Sequence, residues 1–238
     1  GSWRVGDPAV QYESKIQEMH TCKNSGNINS SNPCSEYMFL DNSSCNLGST
    51  NLLEFSDKQG NFDVESYIAA NKTTTIALDI LNDSASYPVR DIAAISPEFR
   101  TVGLGYSNLG ALLMRKGLAY DSDEGRNFAA AITSLMTANA YESSADMAKN
   151  LGTFTHFEFN KEPMIEVMEK HRQNLDDIVW DYVPKDLKKA TTKAWDNVVR
   201  RGRKVGFRNA QATVIAPTGT ISYLMGNDTT GPEPALSL

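Results

Sequence analysis

The segment Ala212–Ala216 limits the possible folds more than any other part of this sequence. It is a short apolar run with β-branched side chains, followed at once by the turn-forming residues Pro217, Thr218 and Gly219, which is typical of a buried strand. A buried strand needs hydrogen-bonded neighbours, yet helical patterns dominate the rest of the chain. We therefore expect an incomplete α/β sheet or barrel whose partner strands lie elsewhere. An all-α domain is the alternative.

The helical patterns lie between the first fifth of the chain and this strand. They cover Asp63 to about Asn82 with Asp63 as N-cap, Asp121 to about Lys149 ended by Gly152, Pro163 to about Arg172, and Lys185 to about Arg200, while Leu104–Lys116 is a compact apolar segment expected to be buried. We predict a single domain with three segments: a cysteine-bearing loop region at 1–52, a mainly helical region at 53–211, and the strand and turn at 212–238.

Charge, hydropathy and cysteine content exclude several classes of protein. The net charge of -6 over 238 residues argues against a broad nucleic-acid-binding surface, which needs many Lys and Arg side chains. No run of 18 apolar residues occurs, so we expect no membrane span. Three cysteines are too few and odd in number for a secreted disulfide framework, and we expect a cytoplasmic protein.

The cysteine-bearing region contains the first group of candidate catalytic residues. Asn32, Cys34 and Glu36 are spaced by two, which places them on one side of an extended strand or hairpin tip, and Cys45 follows eleven residues after Cys34. An amide, a thiol and a carboxylate together can orient a ligand, donate a hydrogen and accept a proton. The alternatives are cysteines that act only as small apolar side chains, and a zinc site. Zinc is disfavoured because no C-x-x-C pair is present and His20 is the only nearby histidine.

The turn after the predicted strand is a candidate anion-binding site. Its residues are Pro217, Thr218, Gly219, Thr220 and Ile221. Gly219 would allow close approach of the backbone, the threonines offer hydroxyls, and a following helix start would offer free N–H groups. A plain structural turn is the alternative, because the Gly and Lys pattern of a P-loop is absent.

Three long stretches, His20–Leu52, Arg100–Met114 and Gly206–Ile221, closely resemble class II ribonucleotide reductases, which depend on adenosylcobalamin. The resemblance implies a helix-rich part of a ten-stranded α/β barrel, with residues 1–52 containing the active-site finger loop. It also implies adenosylcobalamin as cofactor, a ribonucleotide as substrate, and a dithiol reductant such as thioredoxin. No metal site formed by this chain is expected.

The resemblance implies a role for each candidate residue. Cys34 matches the cysteine that becomes a thiyl radical, Glu36 the carboxylate that takes the 3′-hydroxyl proton, and Asn32 the amide that holds the substrate. Cys45 matches one of two reducing cysteines, whose partner comes from an upstream strand, and Pro217–Ile221 match the loop that binds the substrate phosphates. We expect Cys34, Glu36 and Cys45 to share a small, water-poor pocket. Cys22 has no counterpart role, so we interpret it as structural.

The resemblance further implies that this chain is part of a larger reductase. We expect an excised piece, a split enzyme completed by a second chain, or a truncated product; in each case we expect association with itself or with the missing segments, and no turnover by the chain alone. A non-catalytic assembly module and a fragment of a class I large subunit are the alternatives. Gly226, Asn227, Pro232 and Ala235 depart from the family pattern, so no role is transferred to them.

Overall fold

The computed structural model describes residues 1–236, so the last two residues of the predicted 212–238 segment lie outside the described part. The helices are α1 (Ser2–Val5), α2 (Glu13–Glu18), α3 (Val64–Ser84), α4 (Arg90–Phe99), α5 (Leu109–Lys116), α6 (Asp123–Leu151), α7 (Phe157–Gln173), α8 (Lys185–Val205) and α9 (Gly219–Leu224), and the strands are β1 (Asn46–Asn51) and β2 (Val102–Ser107). Short 3-10 helices occupy Lys23–Ser25, Leu52–Phe55, Asn174–Asp177 and Trp180–Tyr182.

The two strands form a parallel sheet. Asn46 pairs with Val102 at one end and Asn51 with Ser107 at the other. The chain passes from β1 through α3 and α4 to β2, which is a β-α-β crossover. A parallel sheet excludes the all-α alternative. The ten-stranded barrel itself is not formed by residues 1–236, which supply two strands and three isolated bridges, one of them parallel to β2.

The predicted strand at 212–216 is only partly formed. Leu104 of β2 donates its N–H to Ala212 O at 3.0 Å and accepts from Val214 N at 3.0 Å, so the segment runs parallel to β2 on the side away from β1. Within this segment, only the pair Leu104 and Thr213 forms a regular β-bridge. The prediction was right about extended backbone beside a sheet. Its outer edge has no ladder partner within residues 1–236, which explains why regular strand structure does not extend further.

Local signals predicted most of the long helices well. The Asp63 carboxylate accepts from Ser66 N at 3.0 Å and begins α3, and Ser122 Oγ accepts from Gly125 N at 3.0 Å and begins α6, which ends at Gly152 as expected. The predicted helix at Pro163 was too short, because Pro163 lies inside α7, which begins at Phe157. α8 continues to Val205, where Gly206 at a φ of 77° ends it.

The apolar segment Leu104–Lys116 is buried as predicted, but it contains two elements. Its first residues belong to β2 and its remainder is α5. Asn108, in the left-handed region at a φ of 69°, separates them. The helix α4 and the strand β1 were not predicted.

α6 forms the centre of the core and packs on α3, α8 and β2. The largest fully buried side chains around it include Trp195, Tyr67, Phe128, Phe154 and Phe207. On the sheet, an added Cβ at Gly48 would lie 3.2 Å from Thr74 of α3, so α3 packs directly on β1. The helices therefore cover one face of the sheet and leave its other face for the candidate site.

A buried polar network fixes the start of β2. Arg100 donates through Nε to Asp79 Oδ1 at 3.1 Å and through a guanidinium nitrogen to Asp83 Oδ1 at 2.6 Å. Asn209 donates to the same Asp79 oxygen at 2.8 Å and to Arg100 O at 2.9 Å. Because Asp79 belongs to α3, this network joins α3, the entry to β2 and the entry to the 212–216 segment at one edge of the sheet.

Candidate active site on the open face of the sheet

Residues 31–38 form a tight hairpin whose tip contains the predicted catalytic residues. Ser31 and Met38 form an antiparallel bridge, and Asn32 N donates to Tyr37 O at 3.1 Å. The Asn32 side-chain oxygen accepts from Tyr37 N at 3.0 Å, which closes the tip a second time. Ser35, at a φ of 65°, makes the reversal. The predicted hairpin tip is confirmed, and Asn32 helps to shape it.

Cys34 lies at the exposed tip of this hairpin as a free thiol. The described residues do not form the expected water-poor pocket around Cys34, since they leave the side chain open to solvent, and the pocket stays a prediction for the complete protein. The physical reason is that the tip extends beyond the two strands, so no described element lies over it. The thiol is accessible to a group that approaches from outside these residues.

Glu36 lies close enough to Cys45 for its charge to affect the thiol. The Glu36 side chain is half-buried, and its Oε2 atom is buried without a hydrogen-bond partner among the described residues. Burial and, to a smaller extent, the nearby negative charge of Glu36 together raise the pKa of the Cys45 thiol to about 12. Cys45 is thus a protonated thiol beside a carboxylate that has an unused acceptor oxygen.

The position of Cys45 depends on a glycine in the neighbouring strand. Cys45 comes directly before β1, and a Cβ added at Gly103 of β2 would lie only 2.8 Å from Cys45 Sγ. The same added atom would lie 2.6 Å from Leu47 Cδ2 and 2.9 Å from Val214 Cγ2. Gly103 therefore provides the space that the thiol occupies on the open face of the sheet.

Tyr37 anchors the hairpin to the segments that directly precede β1 and β2, a contact that no local sequence pattern predicts. Its phenol oxygen lies 2.8 Å from Ser43 Oγ, to which it donates, and 3.0 Å from Thr101 Oγ1. Thr101 directly precedes β2, and its hydroxyl donates to Ser44 O, directly before Cys45. Burial raises the pKa of the Tyr37 phenol, so it stays protonated.

The predicted phosphate turn lies at the other end of the strands. Thr218 is buried, with a φ of 50°, and its Oγ1 lies 3.1 Å from Ser49 Oγ of β1. Gly219 and Thr220 are exposed, and no atom lies within 4 Å of a Cβ added at Gly219. The left-handed backbone conformation thus belongs to Thr218 and not to Gly219, while Pro217 O accepts from Gly231 N at 2.7 Å and holds the turn.

The two predicted groups share one face of β1. Cys45 and Ser49 are four residues apart, so in an extended strand their side chains point to the same side, about 13 Å apart at the usual rise per residue. Gly103 and Gly105 lie beside them on β2, where added Cβ atoms would meet Cys45 and Ser49. A ligand on this face would meet Cys45 at one end and the Thr218 turn at the other.

Residues after the turn fold back onto the carboxyl ends of the strands. Asn108 Oδ1 accepts from Thr229 N at 2.9 Å, and Asn108 Nδ2 donates to Asn51 Oδ1 at 2.9 Å. Asn227, one of the positions that depart from the family pattern, donates to Ser107 Oγ at 2.7 Å. Sequence reasoning missed Asn108 because only its left-handed backbone distinguishes it from other asparagines.

Cys22 belongs to the hydrophobic core, as its structural interpretation predicted. It is fully buried, and burial raises the pKa of its thiol to about 12. In residues 1–236, no cluster of three or more His, Cys, Asp or Glu side chains has a geometry that could hold a metal ion. No helix in that range is long and apolar enough to cross a membrane.

Comparison with known proteins places the whole sequence in one family. The family model for the barrel domain of ribonucleotide reductase matches residues 1–238. A vitamin B12-dependent ribonucleotide reductase from Rhodopirellula baltica is 52% identical over 237 residues, which is 100% of this chain and 23% of that protein. The corresponding protein of Streptomyces coelicolor is 48% identical over 242 residues, 100% of this chain and 25% of its own length.

A more distant relative shows how widely the similarity extends. A vitamin B12-dependent ribonucleoside-diphosphate reductase from Thermoplasma acidophilum is 26% identical over 225 residues, covering 94% of this chain and 24% of that protein. The chain thus spans about a quarter of the length of the curated relatives it matches.

Proposed function

Because this chain belongs to the ribonucleotide reductase barrel-domain family, we propose that it supplies the radical cysteine, one reducing cysteine and the phosphate turn of an enzyme that reduces ribonucleotides to deoxyribonucleotides. The observation that supports this most directly is that Cys45, with Glu36 nearby, and the Ser49 contact to Thr218 lie on the same face of β1. The vitamin B12-dependent relatives favour class II over class I.

The proposed reaction begins at Cys34 and uses Glu36 as its base. A thiyl radical at Cys34 removes the hydrogen from the ribose 3′ carbon, and Glu36 takes the proton of the 3′-hydroxyl. The Oε2 atom of Glu36 supports this role, because it is buried and has no hydrogen-bond partner among the described residues. It is therefore free to accept a hydrogen bond or a proton from a ligand. Asn32, which shapes the tip, would hold the substrate hydroxyl.

The proposed reductant is Cys45 together with a cysteine that lies outside this chain. The 2′-hydroxyl leaves as water, and two thiols supply the two hydrogens that balance its loss, so that they end as a disulfide. Cys34 then returns the hydrogen to the 3′ carbon, which regenerates its thiyl radical. With its pKa raised to about 12, Cys45 retains its proton at neutral pH and can supply it. An external dithiol such as thioredoxin then reduces the disulfide.

The exposure of Cys34 fits a radical source that reaches it from outside the described residues. When bound, adenosylcobalamin would supply the initial radical, which no amino-acid side chain generates by itself. Within this chain, Cys34 would be the residue that receives the radical, and its side chain at the hairpin tip is exposed.

The phosphates are proposed to bind at Pro217–Ile221. The exposed residues Gly219 and Thr220 at the start of α9 offer backbone N–H groups and a hydroxyl, while buried Thr218 links the turn to β1. The cysteines lie toward the other end of that strand, so a nucleotide held by its phosphates would extend its sugar toward them.

The direct test replaces Cys34 in the complete protein that contains this chain. With adenosylcobalamin, a ribonucleoside di- or triphosphate and a dithiol, Cys34→Ser is expected to abolish deoxyribonucleotide formation, measured by chromatography, and Glu36→Gln to lower it about 100-fold or more. Cys22→Ala is the matched control, since it removes a buried core thiol to which no role in the reaction is assigned, and should stay active. Full activity in Cys34→Ser would refute the proposal.

The isolated chain is expected to be inactive under the same conditions, because none of its other cysteines is expected to act as the reducing partner of Cys45. Cys34 is the proposed radical site, and Cys22 is fully buried in the core. Product formation at a substantial rate by the isolated chain would contradict this. The assembly-module alternative would instead give a complete protein that keeps its activity when Cys34 and Glu36 are both replaced.

A further inference from the structure

The phenol of Tyr37 is the buried polar contact between the hairpin and the sheet. Ser43 Oγ donates to Leu40 O at 2.5 Å, and the Thr101 hydroxyl donates to Ser44 O. Both hydroxyls have therefore used their only proton. The Tyr37 hydroxyl must then be the donor in its contacts, with Ser43 Oγ and Thr101 Oγ1 sharing its single proton as acceptors. One phenolic O–H thus connects two segments that approach it from different parts of the chain.

Both segments lead directly into functional positions. Thr101 is fully buried and immediately precedes β2, and Ser44 immediately precedes Cys45. A second contact between neighbouring segments, Ser44 Oγ donating to Ser96 Oγ at 2.8 Å, holds the same loop against the end of α4. The hydroxyl cluster therefore lies where β1 and β2 begin, next to the thiol of Cys45.

Tyr37 also closes the hairpin through its backbone, where its carbonyl and N–H both bond to Asn32. Displacement of the Tyr37 ring would consequently displace the tip. The other polar contact from outside the hairpin is Gln11 Nε2, which donates to Ser31 Oγ at 2.9 Å and Ser35 Oγ at 2.8 Å, but it is exposed and belongs to an exposed stretch of chain. Water can replace such a contact at little cost.

The geometry points to Tyr37 and Thr101 as positioning residues: their hydroxyl pair holds the hairpin, which carries Glu36 and Cys34, against the segments that lead into β1 and β2. This inference rests on the proposed function and adds two residues to it. Neither residue touches the substrate or the reacting atoms. They act by fixing the backbone on both sides of Glu36 and in front of Cys45.

The pair is expected to affect turnover more than substrate affinity. A displacement of about 1 Å at a reacting group can lower the rate about 100-fold. The phosphate turn lies toward the far end of β1 and has no contact with the hydroxyl cluster among the bonds described above, so substrate binding should change little. Tyr37→Phe keeps the ring, which packs near Phe39 at 6.3 Å between ring centroids, and leaves Ser43 and Thr101 with their own acceptors. The variant should therefore fold.

The chain contains a matched control for this substitution. Tyr106 lies 2.9 Å from Thr133 Oγ1, and Thr133 in turn donates to Ala129 O at 2.8 Å. This is the same arrangement of tyrosine, threonine and backbone carbonyl, but between β2 and α6 on the helix-covered face, with Tyr106 buried and Thr133 half-buried. Tyr106→Phe should cost similar stability without moving the hairpin.

The experiment uses the complete protein with adenosylcobalamin and compares Tyr37→Phe, Thr101→Val, Thr101→Ser and Tyr106→Phe. We expect Tyr37→Phe and Thr101→Val to lower kcat about 10- to 100-fold with KM for the nucleotide changed less than about threefold. Thr101→Ser retains the hydroxyl and should restore near-normal kcat. Amide hydrogen exchange at residues 32 and 37 should accelerate about fivefold in Tyr37→Phe and remain unchanged in Tyr106→Phe.

The double variant Tyr37→Phe with Thr101→Val tests whether the two residues act through one bond. If they do, its kcat should be close to that of the more affected single variant, and not the product of both effects. Independent, multiplying effects would overturn the inference, as would an equal fall of kcat in Tyr106→Phe or unchanged exchange in Tyr37→Phe. If hydrogen exchange accelerates in Tyr37→Phe but the complete parent protein reduces no nucleotide, the anchoring role of Tyr37 would be established and the proposed function refuted.

Discussion

At the scale of single residues, the space beside Cys45 is set by the absence of a side chain at Gly103. The three atoms that an added Cβ would meet belong to the segments on both sides of β2, namely residues 45–47 and the 212–216 segment, so β2 cannot move away from one without approaching the other. In contrast, a Cβ added at Gly219 would meet nothing within 4 Å. The two glycines therefore have different reasons to be present: one provides room for a thiol, and the other lies in an open turn.

We expect Gly103→Ala to lower the free energy of unfolding by about 1–3 kcal/mol, because the new methyl overlaps Cys45 Sγ at 2.8 Å in a packed environment. Gly219→Ala should lie within about 0.5 kcal/mol of the parent. Urea unfolding of the chain at low concentration measures both. Equal stability of the two variants would show that the sheet relaxes freely around position 103.

Single residues also show where sequence reasoning succeeds at the site. The sequence favoured a hairpin tip at Asn32–Glu36, and the turn residues there form one, but Cys34 is exposed while Asn32 and Glu36 are half-buried, because the chain reverses between them. The contact between Tyr37 and Thr101 joins residues 64 positions apart, and no local pattern indicates it. The exposure of Cys34 was also missed, since the pocket expected around it requires elements beyond this chain.

At the scale of elements, caps and periodicity predicted α3 and α6, whereas β1 was missed. Asn46–Asn51 contains polar and small residues in place of the apolar run usual for a buried parallel strand. The reason is visible in the fold: one face of β1 packs on α3 through Gly48, and the other face is open. α4 escaped prediction because Pro97 lies inside it, and proline normally indicates a helix boundary.

The packing of α7 on α8 predicts a pH dependence of stability. His171 of α7 stacks on Trp195 of α8 with ring centroids 5.2 Å apart, and burial lowers the pKa of His171 from 6.5 to about 4. A histidine that stays neutral in the folded state must take up a proton on unfolding in acid. Its contribution is therefore fully present above pH 6.5 and is lost as the pH falls toward 4.

Between pH 7 and pH 5 we expect the chain to lose about 2 kcal/mol of unfolding free energy through this group. His171→Phe preserves an aromatic ring against Trp195 and removes the titration, so the difference between parent and variant isolates the histidine. Urea titrations at both pH values provide the measurement. Parallel pH profiles for the two proteins would mean that His171 titrates normally when folded.

At the scale of the whole molecule, the described residues form an open sheet flanked by exposed apolar side chains. Tyr223 and Leu224 of α9 are 84% and 88% exposed, and Trp3 is 98% exposed. The outer edges of β1 and of the 212–216 segment have no ladder partner within residues 1–236. Unpaired edges and apolar surface of this kind favour association.

We expect the isolated chain to associate with itself at high concentration, as measured by multi-angle light scattering. Replacing Tyr223 and Leu224 together by serine should lower the apparent mass at a given concentration, because it removes the most exposed apolar pair. A stable monomer at high concentration would contradict the prediction. An unchanged mass in the double variant would assign association to the sheet edges.

The strand β1 connects the two groups of site residues. An extended strand cannot lengthen, and its side chains alternate, so β1 acts as a rigid spacer between Cys45 and the Ser49 contact to Thr218. Adding one residue inside the strand would do more than change the separation. It would turn the thiol and the serine to opposite sides of the sheet, so that no molecule could reach both.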